Sequence, residues 1–175
     1  MYQGIYTIKE NKKIAKDVYK MIVEGDTSSL TATGQFVNLK IDGLYLRRPI
    51  SVCDYDDSTI TLIYKVVGAG TEIMSTKIPG ETFDILVGLG NGYNTDKSGE
   101  NPLLIGGGVG VPPMYGLCKK LVSEGKNPTV ILGFNTADEI FYKEEFENLG
   151  ATVYVTTVDG SVGVKGFVTD VMKDL

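Results

Sequence analysis

Two short segments of this 175-residue chain carry residue types that could do chemistry. The first is Leu103-Leu104-Ile105-Gly106-Gly107-Gly108-Val109-Gly110-Val111-Pro112-Pro113, an apolar run, then glycines, then a proline pair. A strand, a glycine turn and a helix in that order bring backbone N–H groups and a helix N-terminus to a pyrophosphate. Glycine suits such a turn because a Cβ would keep the phosphate off the backbone. Gly106, Gly108 and Gly110 do not follow the GxGxxG spacing, and position 111 is valine, so the run also reads as a plain tight turn. The second segment is Arg47-Arg48-Pro49-Ile50-Ser51. An arginine fork and a serine hydroxyl are phosphate donors, although the arginine pair alone also reads as a basic surface dipeptide. Its companion is Ile63-Tyr64-Lys65 leading to Gly68-Ala69-Gly70-Thr71, a further turn of backbone donors. Lys65 on its own is equally a solvated strand residue.

Composition removes most rival chemistries. The chain has no histidine, which excludes Ser-His-Asp triads, Cys-His pairs and His-ligated metals. Its two cysteines, Cys53 and Cys118, are far apart and lack CxxC spacing. They cannot by themselves hold a four-thiolate cluster and read as small buried hydrophobes. A net charge of -5 without a basic run argues against nucleic acid as partner. No apolar run is long enough for a bilayer and no signal-peptide pattern opens the chain, so a cytoplasmic protein without membrane partners is expected. With 42% hydrophobic residues a real core is available. What remains is chemistry done by a bound organic cofactor, with no catalytic side chain assigned.

The elements that must position these segments fall into two groups. Up to about Gly92 the chain reads as short strands. Ile60, Leu62, Tyr64 and Val66 alternate with Thr61, Ile63 and Lys65, and Val37, Leu39 and Ile41 alternate with Asn38 and Lys40. Further strands fall at 4–9, 18–23 and 82–87. This pattern predicts a closed or sandwiched antiparallel sheet uninterrupted by a long helix. The stretch from Gly88 to Pro102 is rich in Gly, Asn, Asp and Ser and marks a boundary. Beyond it, strands at 103–105, 130–134 and 152–156 alternate with helices. One helix faces inward through Met114, Leu117, Cys118, Leu121 and Val122, with prolines at its start and Gly125 at its end. Another spans 139–149 and is closed by Gly150. This alternation predicts a parallel sheet with helices on its faces. Val168, Val171, Met172 and Leu175 fall at i, i+3, i+4 and i+7, predicting an amphipathic helix to the last residue. Three parallel strands make a small nucleotide domain, so a C-terminally incomplete one is expected.

The order RPIS, IYK, GT, LGNGY, IGGGVGVPP, LGF, DGS and GFVTD resembles the ferredoxin reductase-like flavoproteins. More narrowly, it resembles the electron-transfer subunits of class B dihydroorotate dehydrogenase, over essentially the whole chain. The resemblance implies a β-barrel plus α/β architecture. An antiparallel FAD-binding barrel would span residues 1–95 and a truncated, parallel-sheet, NAD-binding α/β domain residues 100–175. It implies FAD contacts at Arg48, Pro49, Ile50, Ser51, Ile63, Tyr64, Lys65, Gly70 and Thr71, and a dinucleotide pyrophosphate facing Gly106, Gly107, Gly108 and Gly110. It further implies hydride exchange between NAD(H) and FAD, and single electrons passing through a 2Fe–2S cluster to an FMN-containing catalytic subunit. That subunit oxidises dihydroorotate to orotate in pyrimidine biosynthesis, within a heterotetramer.

Two departures from the family pattern carry expectations of their own. Val87-Gly88 replaces the usual Gly-Pro before LGNGY, which is expected to loosen that turn. The family's further Cys-Gly-Pro strand and cysteine-rich cluster segment are not in this sequence, so this chain is not expected to ligate the cluster. Gly133-Phe134-Asn135-Thr136 holds no arginine for a 2′-phosphate, which favours NADH over NADPH. Two other readings stand beside this one. One is the flavin subunit of a related sulfhydrogenase or transhydrogenase, and the other a non-catalytic nucleotide-binding assembly module.

Overall fold

The computed structural model describes residues 1–173. The chain divides into two units, Met1–Tyr93 and a second from Asn94 onward. In the first, β1 (Tyr2–Ala15), β2 (Val18–Glu24), β3 (Phe36–Leu39), β4 (Arg48–Tyr55), β5 (Thr59–Lys65) and β6 (Thr82–Leu89) close into an antiparallel barrel of order β1-β2-β5-β4-β3-β6. Alternation drives the closure. Ile60, Leu62 and Tyr64 of β5 enter the core with Tyr6, Ile8, Met21, Val37, Leu39 and Ile85, while their neighbours point outward. The long β1 serves two partners, pairing β6 through Tyr2–Thr7 and β2 from Thr7 to Ala15.

The segment Gly68–Thr71, expected as a bare turn, opens a helix instead, α1 (Ala69–Thr76). With eight residues and Met74 as its one buried large apolar side chain, it leaves no periodic trace in the sequence. Val87-Gly88 lies inside β6, where the pairing with β3 shifts register between Leu86 and Leu89. Gly88 has φ +73, and a Cβ there would lie 2.3 Å from the Ser29 carbonyl oxygen. Gly88→Ala is therefore expected to cost about 2–4 kcal/mol, from the left-handed backbone and the backbone clash together. Thermal unfolding of the variant measures this.

In the second unit, β7 (Leu103–Gly107), α2 (Val111–Ser123), β8 (Thr129–Phe134), α3 (Lys143–Asn148), β9 (Thr152–Thr157), β10 (Val164–Lys165) and α4 (Val168–Met172) follow in order. The strands form a parallel sheet of order β10-β9-β8-β7. Three strands were expected. The fourth, β10, is two exposed residues long and has no hydrophobic signal to betray it. The helix expected over 139–149 starts only at Lys143. Tyr142 is left-handed at φ 65 and its ring packs edge-on against Tyr115 at 5.0 Å, while Phe141 packs on Phe134 at 5.4 Å. Those aromatic contacts turn the chain before the helix begins. On α2 the buried face is Val111, Pro112, Gly116, Leu117, Cys118 and Leu121, with Met114 and Val122 only half-buried. In α4, Val171 is buried and Met172 exposed, and the expected extension to Leu175 lies outside the described residues. No helix among the described residues is long and apolar enough to cross a membrane.

Candidate functional site

On the barrel, the ladder between β4 and β5 runs from Tyr55–Ile60 to Val52–Leu62 and ends there. The two candidate segments, Arg48–Ser51 and Ile63–Lys65, lie just beyond that end. On its other side Arg48–Ser51 stays paired with β3, and Ile63–Lys65 stays paired with β2. Beyond Val52 and Leu62 the two strands share no ladder pairs, and their facing edges diverge.

The N-terminus of α1 joins this opening through Arg48. A Cβ built on Gly70 would lie 2.2 Å from Arg48 Nε, so the guanidinium crosses the space that a side chain at 70 would fill. Thr71 Oγ1 accepts from the amides of Val67 and Gly68 at 3.0 and 3.3 Å and donates to the Gly68 carbonyl at 3.0 Å. This consumes the donors just ahead of the helix. The first-turn amides of Ala69, Gly70 and Thr71 have no intrahelical acceptor, and Gly70 among them lies against the Arg48 side chain. An arginine fork beside unspent helix amides is a donor set for a diphosphate, and the site fits the phosphate end of FAD on that ground.

The two adjacent arginines divide their work. Arg47 is committed to the barrel. It forks onto the Asp84 carboxylate at 3.1 Å and also donates to the carbonyls of Asn38 and Asp84. Arg48 is tethered through Nη1 to the Leu46 carbonyl at 2.6 Å. Pro49 is exposed and Ile50 and Ser51 are partly so. Ile63 and Tyr64 are buried, at 3% and 2% exposure. Tyr64 points into the barrel and donates to Asn11 Oδ1 at 3.0 Å, and burial raises its hydroxyl pKa well above the usual tyrosine value. Its side chain is therefore unavailable to a ligand, and only its main chain lies along the opening. Asn11 is a residue that the sequence reading missed, since nothing local links it to Tyr64.

In the α/β unit the four glycines separate by role. A Cβ on Gly106 would lie 2.9 Å from Val111 Cα, so glycine lets the strand end pack on the helix start. Gly108 needs glycine for its backbone, at φ +49. Gly107 and Gly110 have ordinary negative φ, and a Cβ on Gly110 would meet nothing within 4 Å. Nothing inside the chain demands glycine at 110, and open space over a loop backbone is what an approaching pyrophosphate would use. Pro112 and Pro113 carry no N–H, and the Val111 amide bonds the Gly108 carbonyl. The amides left for an anion therefore belong to the loop rather than to the helix end.

At the C-terminal end of β8, Asn135 donates through Nδ2 to Glu139 Oε2 at 2.9 Å. This carboxylate, also passed over in the sequence reading, puts negative charge at the end of β8, beside Asn135. The two cysteines are both buried and form no disulfide, one lying in each unit. Burial pushes the Cys118 thiol up to about 11, which makes it unreactive. Among the described residues no group of three or more His, Cys, Asp or Glu side chains could hold a metal ion.

Residues 104–174 match the family of oxidoreductase NAD-binding domains. A dihydroorotate dehydrogenase B (NAD(+)) electron transfer subunit from Fusobacterium nucleatum subsp. nucleatum is 47% identical over 177 residues, covering 97% of this chain and 68% of the relative. The protein of the same name from Geobacillus sp. (strain WCH70) is 46% identical over 182 residues, covering 99% of this chain and 70% of that one. Among solved structures, an NADH-dependent reduced ferredoxin-NADP oxidoreductase studied for flavin-based electron bifurcation superposes with a TM-score of 0.87 at 35% identity. It covers 98% of this chain, which spans 63% of its length.

Proposed function

The chain belongs to the family of dihydroorotate dehydrogenase B electron transfer subunits, and from that premise we propose that it binds FAD on its barrel and NAD(H) on its α/β unit and moves reducing equivalents between them. The observation that carries the flavin assignment is Arg48 crossing over Gly70, which unites two segments 22 residues apart in one anion-binding mouth. Bound FAD supplies the group that accepts a hydride from NADH and releases electrons singly. The chain's own residues then bind and orient. Arg48 and the first-turn amides of α1 hold the flavin diphosphate. The main chains of Pro49–Ser51 and Ile63–Lys65 offer the diverging strand edges to the rest of the cofactor. Gly106–Gly110 receives the dinucleotide pyrophosphate, and Glu139 favours NADH over NADPH by charge. Hydride exchange between such cofactors needs orientation and exclusion of water rather than a side-chain acid or base, which agrees with a chain lacking histidine.

The partner in this reading is an FMN-containing catalytic subunit that oxidises dihydroorotate in the cytoplasm, in a heterotetramer. No electron step is assigned to an iron–sulfur cluster on these residues. The test is spectroscopic. The purified protein should be yellow or take up FAD, and anaerobic NADH should bleach the flavin band. A colourless protein that takes up no FAD sinks the assignment, and a yellow one that NADH leaves unchanged removes the nicotinamide site alone. A second reading, the flavin subunit of a related transhydrogenase, is supported by the 35% identity to the bifurcating oxidoreductase. Stable complex formation with a dihydroorotate-oxidising subunit separates the two.

A further inference from the structure

The C-terminal end of α1 is held by a side chain from a distant strand. Asn11, on β1, donates through Nδ2 to the carbonyls of Met74 at 2.9 Å and Lys77 at 2.8 Å. Its Oδ1 accepts from the Tyr64 hydroxyl at 3.0 Å. The two carbonyls require the NH2 on their side, so the amide orientation follows from its partners. Tyr64 is itself tightly packed, at 2% exposure and stacked on Tyr19 with centroids 5.9 Å apart.

The helix is short, and it meets the barrel core through Met74 with the partly buried Ile73 beside it. Eight residues are too few for a helix to be stable by itself, and Met74 is its one buried large apolar side chain. At its C-terminal end the Met74 carbonyl accepts from the Lys77 amide at 3.2 Å as well as from Asn11, and the carbonyl of Lys77, the residue that follows the helix, accepts from Asn11. At the opposite end of the same short rod lies Gly70, against Arg48.

We propose that Asn11 is a positioning residue for cofactor binding, an amide latch that fixes α1 along its axis against β5 and so sets the first-turn amides at the height Arg48 requires. The inference rests on the flavin reading above. Asn11 touches no cofactor in this scheme, and it acts through the helix. A displacement of a short rigid helix by a fraction of its rise per residue is enough to misalign amides with an anion, since hydrogen bonds weaken steeply with geometry.

The informative variants are Asn11→Asp, which keeps the shape and the acceptor for Tyr64 but turns a carboxylate toward two carbonyls, and Tyr64→Phe, which removes only the hydroxyl. Two measurements apply to each: FAD affinity of the apoprotein by quenching of flavin fluorescence, and amide hydrogen exchange of the apoprotein without ligand. Asn11→Asp is expected to weaken FAD binding by about tenfold or more, and Tyr64→Phe by about threefold. Exchange should speed up in 72–77 while β2, β5 and β6 keep their protection. FAD affinity within twofold of wild type in Asn11→Asp overturns the inference, as does weakened binding with α1 exchange unchanged. If Asn11→Asp does not fold, Tyr64→Phe decides by the same two readouts. Wild-type protein that binds no FAD overturns the flavin reading instead. Wild-type binding with an indifferent Asn11→Asp overturns only the latch.

Discussion

Arg48→Ala is expected to weaken FAD binding by about 10- to 100-fold while changing the thermal stability of the apoprotein by less than about 1 kcal/mol. The affinity loss follows from removing charge-assisted hydrogen bonds to a diphosphate, each worth about 1.5–3 kcal/mol. The small stability change follows from what Arg48 holds inside the chain. Its 2.6 Å bond goes to the exposed Leu46 carbonyl, which water can satisfy when the arginine is gone. The neighbouring Arg47→Ala should behave in the opposite way. Arg47 and Asp84 are only 22% and 24% exposed at the side chain, and the guanidinium also satisfies two carbonyls. Its removal should cost about 1–3 kcal/mol of stability, with a lesser effect on affinity. Fluorescence titration with FAD and thermal unfolding of both apoproteins read out this contrast. Equal affinities for Arg48→Ala and wild type would show that the barrel opening does not take the phosphates through Arg48. Arg48→Lys should recover little, because a lysine lacks the planar fork.

Gly110→Ala should raise the dissociation constant for NADH by about tenfold or more and leave the unfolding temperature essentially where it was. Position 110 has φ -81 and ψ -11, a backbone alanine adopts freely, and its Cβ would enter open space. At an N-cap the change from glycine to alanine costs at most about 1 kcal/mol. Any large effect on NADH must therefore come from the ligand meeting the new methyl group. Gly106→Ala provides the comparison. There the Cβ would press on Val111 Cα at 2.9 Å and on the Gly110 carbonyl oxygen at 3.1 Å, so about 1–3 kcal/mol of stability should go along with binding. Titration with NADH and a melting curve for each variant distinguish a glycine kept for the ligand from one kept for the fold. A Gly110→Ala protein that binds NADH like wild type would remove the loop from the pyrophosphate.

Much of the molecule was legible from local pattern. The alternation of Ile60, Leu62 and Tyr64 marked β5, and the step from an apolar run to glycines and prolines marked β7 and the start of α2, because side-chain periodicity and glycine or proline chemistry act within a few residues. The missed elements share a cause. Helix α1 has one buried methionine to announce it, β10 has two exposed residues, and the break at Tyr142 comes from rings on α2 and β8.

The sequence by itself determined the strand faces, the position of the glycine loop and the exclusion of histidine chemistry, because each depends on residue type and spacing alone. Only the tertiary structure decided which of two adjacent arginines is spent on Asp84 and which crosses Gly70. It alone turned Tyr64 inward to Asn11, across 53 positions of chain. Those outcomes depend on which strands become neighbours when the barrel closes. Closure brings together residues whose separation along the chain carries no trace of their contact.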